Sequence, residues 1–189
     1  FKNLGTLSTD LISMKAETFT NTGDMEAEQA FLVVTDFKNT KNFAAKSLSL
    51  STKSLKNTKK MSLGNAQIDS AKTTNTGTIN ANRLMAKKGV WHNLSRGYVN
   101  AGEYFKGDFD SYNDDGTTFV NGISMITAKV GRVTKNFRSR KAVFNFDQKP
   151  SFPKTATVEV EDHFALNSKE DIDFYASVVA RSRQDWKAP

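Results

Sequence analysis

The sequence predicts an all-β fold: a right-handed parallel β-helix, or β-solenoid, with coils of about 18 residues. Three observations predict it. An asparagine returns at a constant interval, apolar residues two apart occupy fixed places in each repeat, and turn-forming residues separate them. The recurring asparagines are Asn3, Asn21, Asn39, Asn57, Asn75 and Asn93.

The strand signal is the alternation of apolar and polar residues within each repeat. The seventh position is apolar in the first five repeats, and the sixth repeat is expected to slip by one residue, so that Tyr98 takes this place. Side chains two apart on a strand share a face, which indicates one buried face per strand. We therefore expect five residues to point into the core: Phe19, Phe37, Leu48, Leu50 and Ile79.

The length of the repeat favours a β-solenoid over a helical array. Helix-turn-helix repeats begin near about 33 residues, so a unit of about 18 residues fits two or three short strands. Such a unit cannot bury its own apolar face and stacks on its neighbour, about 4.8 Å away. Phe19 and Phe37 then lie in adjacent coils. Right-handed coiling is expected because crossovers between parallel strands are almost always right-handed.

The asparagine column has two interpretations. In the structural one, asparagine is chosen because it tolerates a left-handed corner conformation and because its amides hydrogen-bond up and down the stack. In the functional one, the column is a polar binding stripe. The structural interpretation is favoured, because a corner that recurs in every coil needs turn chemistry first.

The repeat region is predicted over residues 1–130, followed by irregular β coils over 131–189 that lead into a cap or the next module. The seventh repeat opens on Phe109, and the Asp-Asp-Gly at 114–116 indicates a loop inserted at a corner. After this loop, three apolar residues are expected to rejoin the core: Ile123, Met125 and Ile126. The regular spacing is lost after Gly131, and the apolar spacing over 164–186 allows a short helix.

Composition excludes several classes of site. The chain has no cysteine, so disulfides, thiolate zinc sites and cysteine nucleophiles are excluded. No run of about 18 apolar residues is present, which predicts no transmembrane segment. The sequence shows no signal peptide, does not begin with Met and is already in phase at residue 1. We therefore expect an internal segment of a longer chain.

Positive charge, +7 over the whole chain, is concentrated in residues 37–60, which hold seven lysines and no acid. When the repeats are aligned on their asparagines, Lys38 falls over Lys56, and Lys41 falls over Lys59. Such a ridge is either a solvated edge that discourages stray strand pairing or a site for an anionic partner such as a sulfated glycan, lipopolysaccharide or nucleic acid. Aromatic residues do not interleave with these lysines, so no specific nucleic acid is predicted. A second basic candidate is the group Arg138, Arg140 and Lys141.

No catalytic, cofactor-binding or metal site is predicted. The two histidines, His92 and His163, have no partner histidine at metal-ligand spacing, and phosphate loops, HExxH and Gly-x-Ser-x-Gly are absent. A polysaccharide-active β-helix enzyme would need acids that converge on one sheet face. The acids dense enough for this are Glu103, Asp108, Asp110, Asp114 and Asp115.

The recurring Asn-Thr-Gly, followed by an apolar residue and short alternating strands, is most regular in FTNTGDMEAEQAFLVV and TTNTGTINANRLMA. These stretches resemble the haemagglutinin repeats of filamentous-haemagglutinin-like exoproteins, a family that includes adhesins and contact-dependent growth inhibition toxins. The resemblance covers roughly residues 1–108. It implies export by two-partner secretion through an outer-membrane transporter, and a long β-helical rod at the bacterial cell surface.

These observations give a first functional hypothesis and two alternatives. The first is a structural and binding segment of a secreted surface exoprotein, an adhesin shaft or toxin-delivery stalk, whose partner is a receptor or anionic glycan on a host or neighbouring cell. The alternatives are an intracellular β-helical filament protein and a polysaccharide-active enzyme. A repeat of constant length suits the first, because each added coil lengthens a rod without new long-range contacts.

Overall fold

The structure is a computed structural model, and it describes residues 1–181 and 183–188. Within these ranges the chain forms β-strands and no helix. The strands are β1 (Lys2–Asn3), β2 (Thr6–Asn21), β3 (Asp24–Asn39), β4 (Asn42–Asn57), β5 (Lys60–Asn75), β6 (Thr78–Lys87), β7 (Val90–Asn93), β8 (Tyr98–Asp114), β9 (Thr117–Val133), β10 (Asn136–Phe146), β11 (Ser151–Phe152), β12 (Thr157–Ser168), β13 (Asp173–Phe174), β14 (Ser177–Ala180) and β15 (Arg183–Lys187).

Parallel pairing stacks these strands into one β-solenoid of about ten coils, as the sequence predicted. We end each coil at the asparagine position, so that coil 1 ends at Asn21 and coil 2 at Asn39. Coils 3 to 9 end at Asn57, Asn75, Asn93, Asp114, Val133, Phe152 and Phe174. The right-handed sense of coiling stays a prediction.

Each coil has three sides, because the long strand bends at two residues that lie outside the paired registers. In coil 2 the first side is 24–27, the second is 29–34 and the third is 36–39. Glu28 and Thr35 stand at the two bends, and Thr40-Lys41 forms the third corner. Side chains alternate between core and solvent along each side, as the period-2 pattern predicted.

The core consists of columns in which equivalent residues stack. Phe19 lies directly over Phe37, with ring centroids 5.0 Å apart and planes within 7°, so the two residues are in adjacent coils as predicted. All five residues expected to point inward are buried. Burying one such side chain contributes about 1.5–3 kcal/mol, and a stacked aromatic pair adds about 0.5–1.5 kcal/mol.

The repeat changes length after Asn93 because extra residues enter at corners. Residues 94–97 separate β7 from β8, whereas only 58 and 59 separate β4 from β5. Val99, not Tyr98, therefore lies over Ile79 in the core, and the predicted slip of one residue is wrong. The seventh repeat does not open on Phe109 either: Tyr112 is the residue that lies over Trp91.

The solenoid continues through the C-terminal part of the chain. Strand β9 runs across residue 130, the predicted end of the repeat region, and β10 stacks between β9 and β12. A register shift between Ser139 and Lys141 makes these coils irregular.

The short helix over 164–186 is wrong, because the described part of that range forms strands. Ile126 rejoins the core, but Ile123 and Met125 take outward positions and are exposed.

Two glycines replace core side chains where aromatic rings fill the interior. A Cβ on Gly107 would overlap the ring of Phe109, and a Cβ on Gly131 would overlap the ring of Phe146. Both glycines are buried inward positions of their coils. The later coils therefore place large rings against glycine, whereas the earlier coils carry aliphatic side chains at the inward position of Gly107: Leu32, Leu50, Ile68 and Ala86.

Candidate binding surfaces

The asparagine column is buried and forms a ladder of hydrogen bonds between coils. The amide Nδ2 of each of the first five asparagines donates to Oδ1 of the asparagine in the next coil, over N···O distances of 2.8–2.9 Å. The same Nδ2 of Asn57 also donates to the backbone oxygens of Lys59 and Thr78. Stacked amides are therefore confirmed. Because the six side chains are buried, they do not form a binding stripe on the surface.

The threonine that follows the asparagine explains the Asn-Thr pair. Oγ1 of Thr22, Thr40, Thr58 and Thr76 donates to the backbone oxygen of the asparagine one coil earlier. The backbone N–H of the same threonine donates to the same oxygen. The expected left-handed conformation of the asparagines is wrong: among the described non-glycine residues, positive φ is found at Lys88. The hydrogen bonds of its amide, and not a left-handed backbone, therefore explain why asparagine recurs at this position.

The ladder ends on a buried carboxylate, Asp114. Asn93 Nδ2 donates to Asp114 Oδ1 at 2.8 Å, and the Tyr112 hydroxyl donates to Oδ2 at 3.2 Å. The loop expected at 114–116 is therefore only partly right. Asp114 is the last residue of β8, and the corner begins one residue later, at Asp115. The signal in the sequence is Tyr112-x-Asp114, which repeats the aromatic-x-Asn pattern of Phe37-x-Asn39 with Asp in place of Asn.

Burial raises the pKa of Asp114, because the carboxylate loses its hydration. Hydrogen bonds to the carboxylate favour the charged form and offset only part of this effect; they come from Thr118, Asn93, Tyr112 and the backbone of Gly116. Every amide of the ladder points its donor toward Asp114, so the aligned dipoles present their positive end to the carboxylate. Asp114 is therefore the last acceptor of the ladder.

The lysine ridge (Lys38, Lys41, Lys56 and Lys59) lies on the third side and on its corner with the first side. Lys38 and Lys56 are in register on neighbouring strands, and all four side chains are exposed. Lys41 is bound to Asp24, with Nζ 3.0 Å from Oδ2, and this hydrogen bond lowers the pKa of Asp24. Within residues 1–181 and 183–188, no acid forms an ion pair with Lys38, Lys56 or Lys59. The ridge thus leaves three charges open to an anion.

The second basic group is mostly neutralised by the following coil. Arg138 Nη2 lies 3.1 Å from Glu161 Oε1, and its guanidinium also lies over the ring of Phe119 at 5.4 Å. Arg140 Nε lies 2.8 Å from Asp162 Oδ2. Lys141 has no such partner in the described part of the chain, but it belongs to the second side. These ion pairs join coil 8 to coil 9, so the group is a weaker anion site than the lysine ridge.

The acids considered for catalysis are distributed around the coil. Glu103, at the bend between the first and second sides, pairs with Arg83; Asp110, beyond the second side, pairs with Lys129. Asp115 occupies the corner after the third side, where its Oδ2 lies 3.0 Å from His92 Nε2. Asp108 faces outward on the second side, and Asp114 is inside the ladder. The five acids therefore do not line one face.

Comparisons with protein-family models, with curated proteins and with solved structures return no match. The described residues contain no helix that is long and apolar enough to cross a membrane. They also contain no group of three or more histidine and carboxylate side chains that could hold a metal ion.

Proposed function

We propose that this chain is a structural and binding segment of a secreted bacterial surface exoprotein, serving as an adhesin shaft or a toxin-delivery stalk. The observation that carries the proposal is the coil-to-coil ladder, since each coil meets its hydrogen-bonding needs on the neighbouring coils. Length can then be added coil by coil, by about 4.8 Å each, without a change in the core. The repeats that resemble those of filamentous-haemagglutinin-like exoproteins support the same function.

The binding role is assigned to the lysine ridge. Three unpaired cations on neighbouring coils produce a positive field along the rod, and such a field attracts a polyanion. The partner class is an anionic glycan, such as a sulfated glycan or lipopolysaccharide, on a host or neighbouring cell. Secretion would use an outer-membrane transporter. We propose no catalytic activity for this segment, because the candidate acids are separated by the sides of the coil.

The cellular location of the protein tests this function. An antibody against the chain should label intact cells of the organism that makes it, and brief protease treatment of those cells should remove the label. An antibody against a cytosolic protein serves as the control and should label only permeabilised cells. Labelling of the chain only after permeabilisation would favour the intracellular filament instead.

A further inference from the structure

Apolar side chains point outward from the second side of the solenoid in several coils, including Ile123 and Met125 of coil 7. Leu11, Phe31 and Val33 are 55%, 46% and 53% exposed, and all three point outward from this side in coils 1 and 2. Met85 and Tyr104 point outward from the same side in coils 5 and 6 and are half-buried. Between these two regions, the outward side chains of coils 3 and 4 are polar, and one of them, Asp69, is charged: Ser47, Ser49, Ser51, Asn65, Gln67 and Asp69.

We propose that two copies of this chain pack second side against second side, in antiparallel orientation, about a two-fold axis between coils 3 and 4. With the axis parallel to the strands, coil 1 faces coil 6 of the other copy, coil 2 faces coil 5 and coil 3 faces coil 4. Outward residues that stack in register from coil to coil form a column, and across such an axis each column faces the same column of the other copy. Every contact then occurs twice, as in other isologous interfaces.

The apolar residues of the two regions meet in this register. Phe31 lies opposite Met85, and Leu11 lies opposite Tyr104, each in the same outward column. Val33 lies opposite Lys87, whose methylene stem can cover it while the ammonium reaches solvent at the edge. Aliphatic side chains such as Leu11 and Val33 gain most from a dry partner, which favours a protein surface over a hydrated glycan.

The polar residues are complementary in the same register. Lys15 lies opposite Asp108, and neither side chain forms an ion pair within the part of the chain that the structure describes. Ser47 and Ser49 lie opposite Asn65 and Gln67, which match hydroxyl groups with amides. These contacts leave no like charges face to face.

Each neighbouring register loses part of this complementarity. An axis through coil 3 places Lys15 opposite Lys87, and an axis through coil 4 places Asp69 opposite its own copy. An axis between coils 4 and 5 keeps an apolar partner for Phe31, which faces Met125, and it pairs Asp69 with Lys87. It also places Leu11 opposite Lys141 and Gln29 opposite Ile123, and it separates Lys15 from Asp108.

The area available suits a weak, reversible dimer. Six coils span about 29 Å along the rod, and six residues of a strand span about 20 Å across it. The two copies would bury roughly 1,100–1,200 Å² in total, just above the approximately 1,000 Å² that a specific interface needs. We therefore expect a dimer that forms in the micromolar range and dissociates on dilution.

Sedimentation velocity over a concentration series tests the association. The chain should approach the mass of a dimer near about 100 µM, whereas Phe31→Ser should weaken the association at least about tenfold. Serine already occupies the equivalent positions 13 and 49 in the two neighbouring coils, so this substitution should not disturb the fold. Circular dichroism checks that the fold is kept. Tyr98→Thr, which removes an exposed aromatic residue from the first side, should dimerise like the parent chain. A parent chain that stays monomeric at this concentration overturns the proposal.

Charge reversal and cross-linking test the register. Lys15→Asp should weaken the dimer, and adding Asp108→Lys to the same chain should restore it. Because the chain has no cysteine, Ser13→Cys and Lys106→Cys introduce single thiols. In the proposed register these two residues face each other about 10 Å apart, whereas two copies of residue 13 lie about 24 Å apart. A short bismaleimide should therefore link a mixture of the two variants and neither variant alone. Efficient linking of Ser13→Cys to itself would indicate parallel packing and overturn the antiparallel arrangement.

Discussion

Asn93 and Asp114 join two parts of the solenoid that differ in composition. Asn93 Nδ2 donates to Asp114 Oδ1 at 2.8 Å, and this bond links the last coil that ends in asparagine to the first that ends in a carboxylate. The spacing between the two residues is 21, compared with 18 between successive asparagines. Beyond Asp114 the same position is taken by Val133, so amide hydrogen bonding gives way to apolar contacts.

Asp114→Asn should stabilise the protein at neutral pH. The amide oxygen accepts from Asn93 as the carboxylate does, and the amide nitrogen can donate to the Tyr112 hydroxyl, which changes from donor to acceptor. The substitution also removes a buried charge that the hydrogen bonds only partly compensate. We expect Tm to rise by about 2–4 °C, which corresponds to about 1 kcal/mol in a chain of this size. Asp36→Asn, at an exposed position on the third side, is the control and should leave Tm unchanged within about a degree. A lower Tm for Asp114→Asn would mean that the ionised carboxylate itself stabilises the ladder.

The same variant gives a pH signature. The folded-state pKa of Asp114 is raised above its ordinary value of 3.8, so the folded protein binds this proton more tightly than the unfolded chain. The ionised Asp114 therefore lowers the free energy of unfolding. This loss of stability is absent below pH 3.8, grows as pH rises through the raised pKa, and is complete above it. Denaturant midpoints of the parent chain and Asp114→Asn should converge in acid and separate toward neutral pH. Acids with lowered pKa values, such as Asp24, respond alike in both proteins and cancel in the difference.

Interrupting the ladder should be costly. Asn57→Ala removes the acceptor of Asn39 and the donor to Asn75 at one buried position. Leaving these amide groups without partners should lower the free energy of unfolding by about 2–4 kcal/mol, measured by guanidinium denaturation. Asn65→Ala, an exposed asparagine in the next coil, is the matched control. Equal effects of the two substitutions would contradict a stabilising ladder.

The sequence predicted the first five coils well because their length is constant. With a constant coil length, one alignment places every core residue, as Phe19 over Phe37 and Leu50 over Ile68 illustrate. After Asn93 the strand pattern persists, but corner insertions move the frame. A spacing rule cannot locate Tyr112 or Asp114 there, although the aromatic-x-Asn pattern could have done so if Asp were allowed in place of Asn. Ile123 and Met125 were misplaced for a related reason, since apolar residues also occur at outward positions of the second side.

The surface was harder to predict than the core. The alignment of the repeats places Lys41 over Gly23, so the ion pair between Lys41 and Asp24 depends on a corner side chain reaching across one position. The pairing of Arg138 with Glu161 likewise joins residues 23 apart, in coils of irregular length. The ion pairs that long charged side chains form depend on how far each side chain extends and on its solvation. A periodic sequence pattern contains neither of these properties.

Leu50→Asp should be among the most damaging single changes in the chain. Leu50 is buried between Leu32 and Ile68, so the substitution places an unpaired carboxylate in the core. We expect a loss of more than about 4 kcal/mol, visible as a collapse of the thermal transition in circular dichroism. Ser49→Asp, one residue earlier and exposed, should melt like the parent chain. A normal transition for Leu50→Asp would mean that the core position of Leu50 is wrong.

Replacing the lysine ridge should reduce binding to polyanions. Changing Lys38, Lys41, Lys56 and Lys59 to Gln removes four positive charges from neighbouring positions on the third side and its corner. Binding of the parent chain to heparin or lipopolysaccharide should weaken steeply as salt rises, because screening shortens the reach of the ridge to about 10 Å at 0.1 M. The variant should bind roughly tenfold more weakly at low salt and depend less on salt.

A variant with the same change in net charge separates a located site from general attraction. Changing Lys15, Lys87, Lys106 and Lys141 to Gln also removes four charges, but from the second side. This control should retain most of the binding to heparin, since its lysines lie away from the ridge. Equal losses in the two variants would mean that net charge alone attracts the polyanion. Unchanged binding in the ridge variant would leave the ridge as a solvated edge that protects the sheet from stray pairing.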